Sequence, residues 1–111
     1  MIKRELDILV SLQDLDMMIS ELAEVEQLGF DVHGKQNLTD AREELTSKIS
    51  RPLLYKYEKL RKRYKRAIVP VKSDVCLGCF MRLPTSLSVR GREDTKIYEC
   101  EGCGRILYWL E

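Results

Sequence analysis

The chain has 111 residues, 33% of them charged and 44% hydrophobic, which suits one domain, or a small domain with an appendage, and excludes a disordered composition. No apolar run approaches the roughly 20 residues that cross a bilayer, and the acids Glu5 and Asp7 interrupt the first apolar positions, excluding a signal-peptide core. A cytoplasmic protein without a membrane span is therefore expected. The formal net charge of +1 hides a segregation: residues 1–50 carry 5 basic and 11 acidic side chains, whereas residues 51–72 carry 9 basic and 1 acidic.

Taken in chain order, Ile8, Leu12, Leu15, Ile19 and Leu22 recur at spacings of four and three, which predicts a first helix of about 26 residues with one apolar stripe. Gly29 is placed to end it in the left-handed conformation common at helix C-termini. Leu6, Val10, Met17 and Leu28 fall on the side opposite that stripe. Either helix 1 offers a homodimer or partner surface there, or these are scattered exposed apolar residues. A polar connection from Asp31 to Gln36 follows, containing the chain's one histidine, His33, expected to be solvated and not a metal ligand.

Asp40 and Glu43 read as a capping pair opening a second helix, with Asn37 or Thr39 as alternative caps. Ala41, Leu45 and Ile49 begin its stripe. Pro52 is expected to kink or restart the helix, with Ser50 as the new cap. Leu53, Tyr57, Leu60, Tyr64 and Ala67 continue the stripe, so the two tyrosines are expected in the hairpin core. A second helix of about 27 residues would match the first at roughly 40 Å, predicting an antiparallel, coiled-coil helical hairpin over residues 1–66. On the opposite side of helix 2, Tyr55, Lys59, Lys62 and Arg66 share an exposed stripe, with Arg63 beside it. These cations either complement the helix dipole or meet RNA, DNA or an acidic protein surface.

Residues 67–111 are expected to form a ribbon. Ile68-Val69-Pro70-Val71 is β-branched with a proline, which suits an edge strand. Cys76-Leu77-Gly78-Cys79 and Cys100-Glu101-Gly102-Cys103 contain all four cysteines, and two such pairs at this separation read as one zinc site. Each pair sets two soft sulfurs on one side of a tight turn, and four thiolates complete a tetrahedral shell, so one structural Zn²⁺ is expected on Cys76, Cys79, Cys100 and Cys103. Gly78, Gly102 and Gly104 are expected at positive φ, directing N–H groups at the thiolates. Lys96-Ile97-Tyr98-Glu99 reads as a strand entering the second knuckle and residues 105–110 as the strand leaving it. Residues 90–94 read as a solvated loop tip whose Arg90 and Arg92 would assist nucleic-acid binding. A thiol redox function is disfavoured because both pairs lie in glycine turns instead of a βαβ setting. An enzyme is not expected, since no supported nucleophile or phosphate-binding glycine loop is present.

The residues from Ala67 onward resemble a known family. Val69-Pro70-Val71, Cys76-Leu77-Gly78-Cys79, Met81-Arg82-Leu83-Pro84 and the run from Cys100 to Trp109 look like the bacterial C4-type zinc-ribbon family in which the ribbon follows a coiled-coil hairpin. Leu54 to Arg63 is similar too. The resemblance implies an α plus small β fold, a helical hairpin followed by a four-cysteine zinc ribbon, with no enzymatic activity. It also implies an adaptor or regulator, because some members bind the alternative sigma-54 factor, flagellar or secretion components, or messenger RNA. Members carry a longer hairpin than the residues preceding the ribbon here, so a partner bound along that longer coiled coil would lack its counterpart.

Overall fold

The computed structural model describes residues 4–93 and 96–109. Helix α1 spans Arg4–Gln27 and ends as expected at Gly29, whose φ is 94°. The N–H of Phe30 reaches the carbonyl of Val25 and that of Gly29 reaches Glu26, the paired bonds of a Schellman ending. Helix α2, Lys35–Thr46, begins earlier than expected, with Gly34 at its N-cap and no side-chain cap. Thr39 and Asp40 do not cap because both are bonded along the helix. The Thr39 hydroxyl donates to the Lys35 carbonyl at 3.0 Å, and Asp40 accepts from Gln36 at 2.8 Å.

The expected single second helix is two. Residues 47–50 break it, and α3 spans Arg51–Arg63 with Pro52 in its first turn, where a missing N–H costs nothing. Ser50 holds the N-cap position, but its hydroxyl makes no capping bond. The break also reverses the chain. Going along α2, Lys35 meets Glu26, Arg42 meets Asp16, and the N–H of Ser50 meets Glu5, so α2 is antiparallel to α1. Along α3, Tyr57 meets Asp16, and residues 61–65 line a groove with Met17, Ser20 and Glu24, so α3 returns in the direction of α1. Arg42 Nε donates to Asp16 at 2.6 Å and Tyr57 Oη donates to the same carboxylate at 2.6 Å. One half-buried carboxylate thus ties all three helices. Burial and this bond push the Tyr57 phenol far above its ordinary range.

Strands β1 (Ile68–Lys72), β2 (Val75–Cys76) and β3 (Ile106–Trp109) form a sheet in the order β2-β1-β3, β1 being antiparallel to β2 and parallel to β3. The proline-bearing strand is therefore central, not an edge. It tolerates Pro70 because that residue's polar groups face the β2 side. There its carbonyl accepts from Leu77 N–H at 3.0 Å, and the two-residue β2 demands no donor opposite the ring nitrogen. Residues 96–99, expected as a strand, form none; the Glu99–Ile106 pair is an isolated bridge. Residues 90–93, expected in a loop tip, instead lie in a fourth helix, α4 (Thr85–Glu93), which helps carry the chain between the parallel strands. Asp94, from that expected tip, and Leu110, from the expected last strand, lie outside the described residues.

Side chains alternate across the sheet, as strands require. Ile68, Ile106 and Tyr108 pack with Leu6, Leu9, Leu12, Ile49 and Tyr57 of the helices. Val69, Val71, Leu107 and Trp109 pack with Leu83, Leu87, Cys76 and Cys100. The sheet is thus sandwiched between the helices and α4. Gly91 makes room for this: a Cβ there would lie 2.2 Å from the Trp109 ring. The ribbon also explains the second apolar side of α1. Leu6 is buried in the shared core and Val10 packs against it, whereas Leu28 is exposed. No helix among the described residues is long and apolar enough to cross a membrane.

Candidate metal centre

The two cysteine turns are near copies. In the first, Phe80 N–H donates to the Cys76 carbonyl at 2.6 Å and Cys76 N–H to Met81 at 3.0 Å. In the second, Gly104 N–H donates to Cys100 at 2.8 Å and Cys100 N–H to Arg105 at 2.9 Å. Both turns need a left-handed residue after their second cysteine, supplied by Phe80 at φ 63° and Gly104 at φ 77°. Gly78 and Gly102, expected at positive φ, are not there. They are glycines for space: a Cβ on Gly78 would lie 2.4 Å from the Arg105 guanidinium, and one on Gly102 would lie 2.5 Å from Met81 Sδ.

The turns face each other, and their four sulfurs lie within 4.8 Å of one another. Cys76 and Cys103 Sγ are 3.9 Å apart, and Cys79 and Cys100 Sγ are 3.6 Å apart. A tetrahedron with Zn–S bonds of about 2.3 Å has sulfurs about 3.8 Å apart, while a disulfide needs about 2.05 Å. The donor set fits one structural zinc ion. Four thiolates fill its shell, so the metal acts as a cross-link.

The surroundings support that role. Gly102 N–H donates to Cys100 Sγ at 3.3 Å, the bonding expected to steady a ligand. Burial pushes the Cys76 thiol up and the Cys103 thiol up to about 12. The Met81 backbone N–H pulls the exposed Cys79 thiol down. The metal deprotonates the whole set on binding.

Three residues position the centre in roles that the sequence did not signal. Gln13 is 2% exposed. Its amide accepts from Ile68 N–H at 2.8 Å and donates to Ile68 C=O at 3.0 Å, acting as a one-residue strand beside β1 where β2 does not reach. Tyr64, expected in the hairpin core, is instead the C-cap of α3; its hydroxyl donates to the Cys103 carbonyl at 3.0 Å. Arg105 stacks its guanidinium 3.8 Å over the Tyr64 ring and lies against Gly78 of the other knuckle. Paired charges and aromatic spacing gave no sign of these roles, because each is a contact between segments far apart in sequence.

Tyr55, Lys59, Lys62 and Arg63 are exposed on α3, Tyr55 by 70%. Arg66 does not join them: α3 ends at Arg63, and Arg66 lies in the connector to β1. Tyr55, Lys56, Lys59 and Arg63 line a groove of about 310 Å³ against Glu99 and Gly104 of the second knuckle, with Lys56 paired to Glu99. Arg90 and Arg92 sit on α4, and Arg90 Nε donates to its own helix at the Ser86 carbonyl. His33 is exposed beside the α1–α2 turn.

Residues 75–107 match the C4-type zinc ribbon domain. Two solved structures are similar to this chain. CT398 from Chlamydia trachomatis is 32% identical with a TM-score of 0.61, over 68% of this chain and 33% of its own. HP0958 from Helicobacter pylori is 26% identical with a TM-score of 0.64, over 82% of this chain and 36% of its own. The chain thus spans about a third of the length of the solved proteins it matches. None of the curated proteins matches it significantly. The centre belongs to a zinc ribbon seated on helices, a metal-binding module.

Proposed function

We propose that the protein is a non-enzymatic cytoplasmic adaptor whose zinc stiffens a platform for another macromolecule. The observation that carries this reading is the closed shell: four thiolates leave no position for a catalytic water, while Tyr64 and Gln13 lock the ribbon to the helices. A metal that serves only to rigidify suits a surface that must keep its shape. A transcription factor such as an alternative sigma factor, or a flagellar or secretion component, is the class of partner that the sequence resemblance suggests.

A second reading rests on the groove at α3. An exposed Tyr55 beside Lys56, Lys59 and Arg63 supplies the cations and aromatic platform that single-stranded nucleic acid uses. The two readings separate in one experiment: titration of a mixed-sequence RNA and a DNA duplex across a salt series, with wild type and the triple variant Lys59→Glu/Lys62→Glu/Arg63→Glu. The adaptor reading expects no binding even at low salt. A steep salt slope that the triple variant flattens would instead establish phosphate contact.

A further inference from the structure

The two knuckles have the same backbone and opposite surroundings. The second is covered by the protein's own helix: Tyr64 bonds the Cys103 carbonyl, and Gly104 lines the groove against Leu60 and Arg63 of α3. Among the described residues, no helix covers the first in this way. Where the second knuckle places Gly104 at φ 77°, the first places Phe80 at φ 63°, and that residue is 74% exposed. Left-handed backbone is unfavourable for a bulky residue, and an exposed ring gains nothing from burial. Folding would be served better by glycine, the residue found in the twin. Such an outlier points to function.

The neighbours define the surface. Leu77 and Met81 are exposed beside Phe80, and the stretch from Leu77 to Met81 holds no Asp, Glu, Lys or Arg, its one ionised group being the zinc ligand Cys79. At its margin, Lys72 pairs in register with Val75, and Val75 with Arg82, setting two exposed cations on one side of the ladder. Neither cation has an ion-pair partner among the described residues. An apolar aromatic tip rimmed by these cations fits an apolar surface with acidic edges.

We propose that the first knuckle docks an amphipathic helix of another protein, with Phe80 as the anchor, Leu77 and Met81 around it, and Lys72 and Arg82 meeting acids at the helix edges. The second knuckle already sits against a helix of the chain, α3, although through a tyrosine bond and a glycine instead of an aromatic anchor. A large aromatic in a packed centre and a flexible methionine beside it are the usual anchors of such contacts. The inference rests on the adaptor reading and names the surface through which it acts.

The test replaces Phe80 with photoreactive p-benzoyl-phenylalanine in the full chain, and separately Tyr55 and Val89, and irradiates each in bacterial cells. A protein crosslink is expected at position 80 and not at 89. The captured protein is then purified and titrated with wild type, Phe80→Gly and Arg82→Glu. Phe80→Gly is expected to bind at least tenfold more weakly while keeping one zinc and melting no lower than wild type. Arg82→Glu is expected to weaken binding several-fold, with a smaller salt dependence. No crosslink at 80, undiminished binding by Phe80→Gly, or loss of zinc in that variant would each overturn the inference. Crosslinks from Tyr55 alone would overturn it and leave the adaptor reading standing, whereas no protein crosslink at either position would remove both.

Discussion

The two knuckles share a hydrogen-bond pattern yet differ in what they face. The second is packed on α3 through Tyr64, Arg105 and Gly104; the first shows solvent a phenylalanine and a methionine. Zinc demands the same local geometry of both. Only packing separates a structural knuckle from an available one.

The largest test removes what they share. Cys100→Ser is expected to abolish stoichiometric zinc and unfold the ribbon, since zinc in comparable small sites contributes roughly 10–16 kcal/mol of apparent folding free energy. Metal analysis and near-UV circular dichroism read this out, and native-like dichroism after chelation would contradict it. Because Ile68 and Ile106 belong to the core of the helices, the helical melting transition should fall as well. Acid acts in the same direction. The ligands bind zinc as thiolates, and each takes up a proton when zinc leaves at neutral or acid pH. Apparent zinc affinity should then fall by about tenfold per thiol for each unit the pH drops, measurable by competition with a chromophoric chelator.

The next test separates ribbon from helices. Gln13→Ala leaves the buried N–H and C=O of Ile68 unsatisfied and should cost about 2–3 kcal/mol in chemical denaturation. A loss below about 0.5 kcal/mol would mean that water replaces the amide fully. Smaller effects address the knuckles singly. Gly104→Ala meets nothing within 4 Å, so its expected cost, about 1–2 kcal/mol, comes from the left-handed backbone alone. Tyr64→Phe should lose about 1 kcal/mol with the bond to Cys103, without loss of zinc. Equal loss from a mutation confined to the first knuckle's exposed surface, such as Phe80→Ala, would erase the contrast between the two.

Much of this was legible in advance where one segment carries its own signal. The cysteine pairs specify zinc because ligand spacing is local, and Gly29 stops α1 for a reason contained in its own backbone. Tyr57 lies in the core as its helical spacing requires. The break at Pro52 was visible too, but not that α3 would turn back. A proline announces a restart without its direction, which is decided by which apolar face finds cover.

The missed elements share a cause. Helix α4 was hidden because its stretch reads as polar and glycine-bearing, and its Gly91 makes sense only beneath Trp109. Strand β1 reads as an edge from its proline, and it becomes central only because β3 returns parallel to it. By itself, the sequence determined the four ligands, the helical and ribbon halves and the basic charge of α3, since periodicity, ligand spacing and composition act within a few residues. Tertiary structure alone decided that Gln13 would complete a strand, that Tyr64 and Arg105 would seat the second knuckle, and that Phe80 would stand exposed. Those outcomes depend on long-range packing and on which polar groups remain to be satisfied once the core has closed.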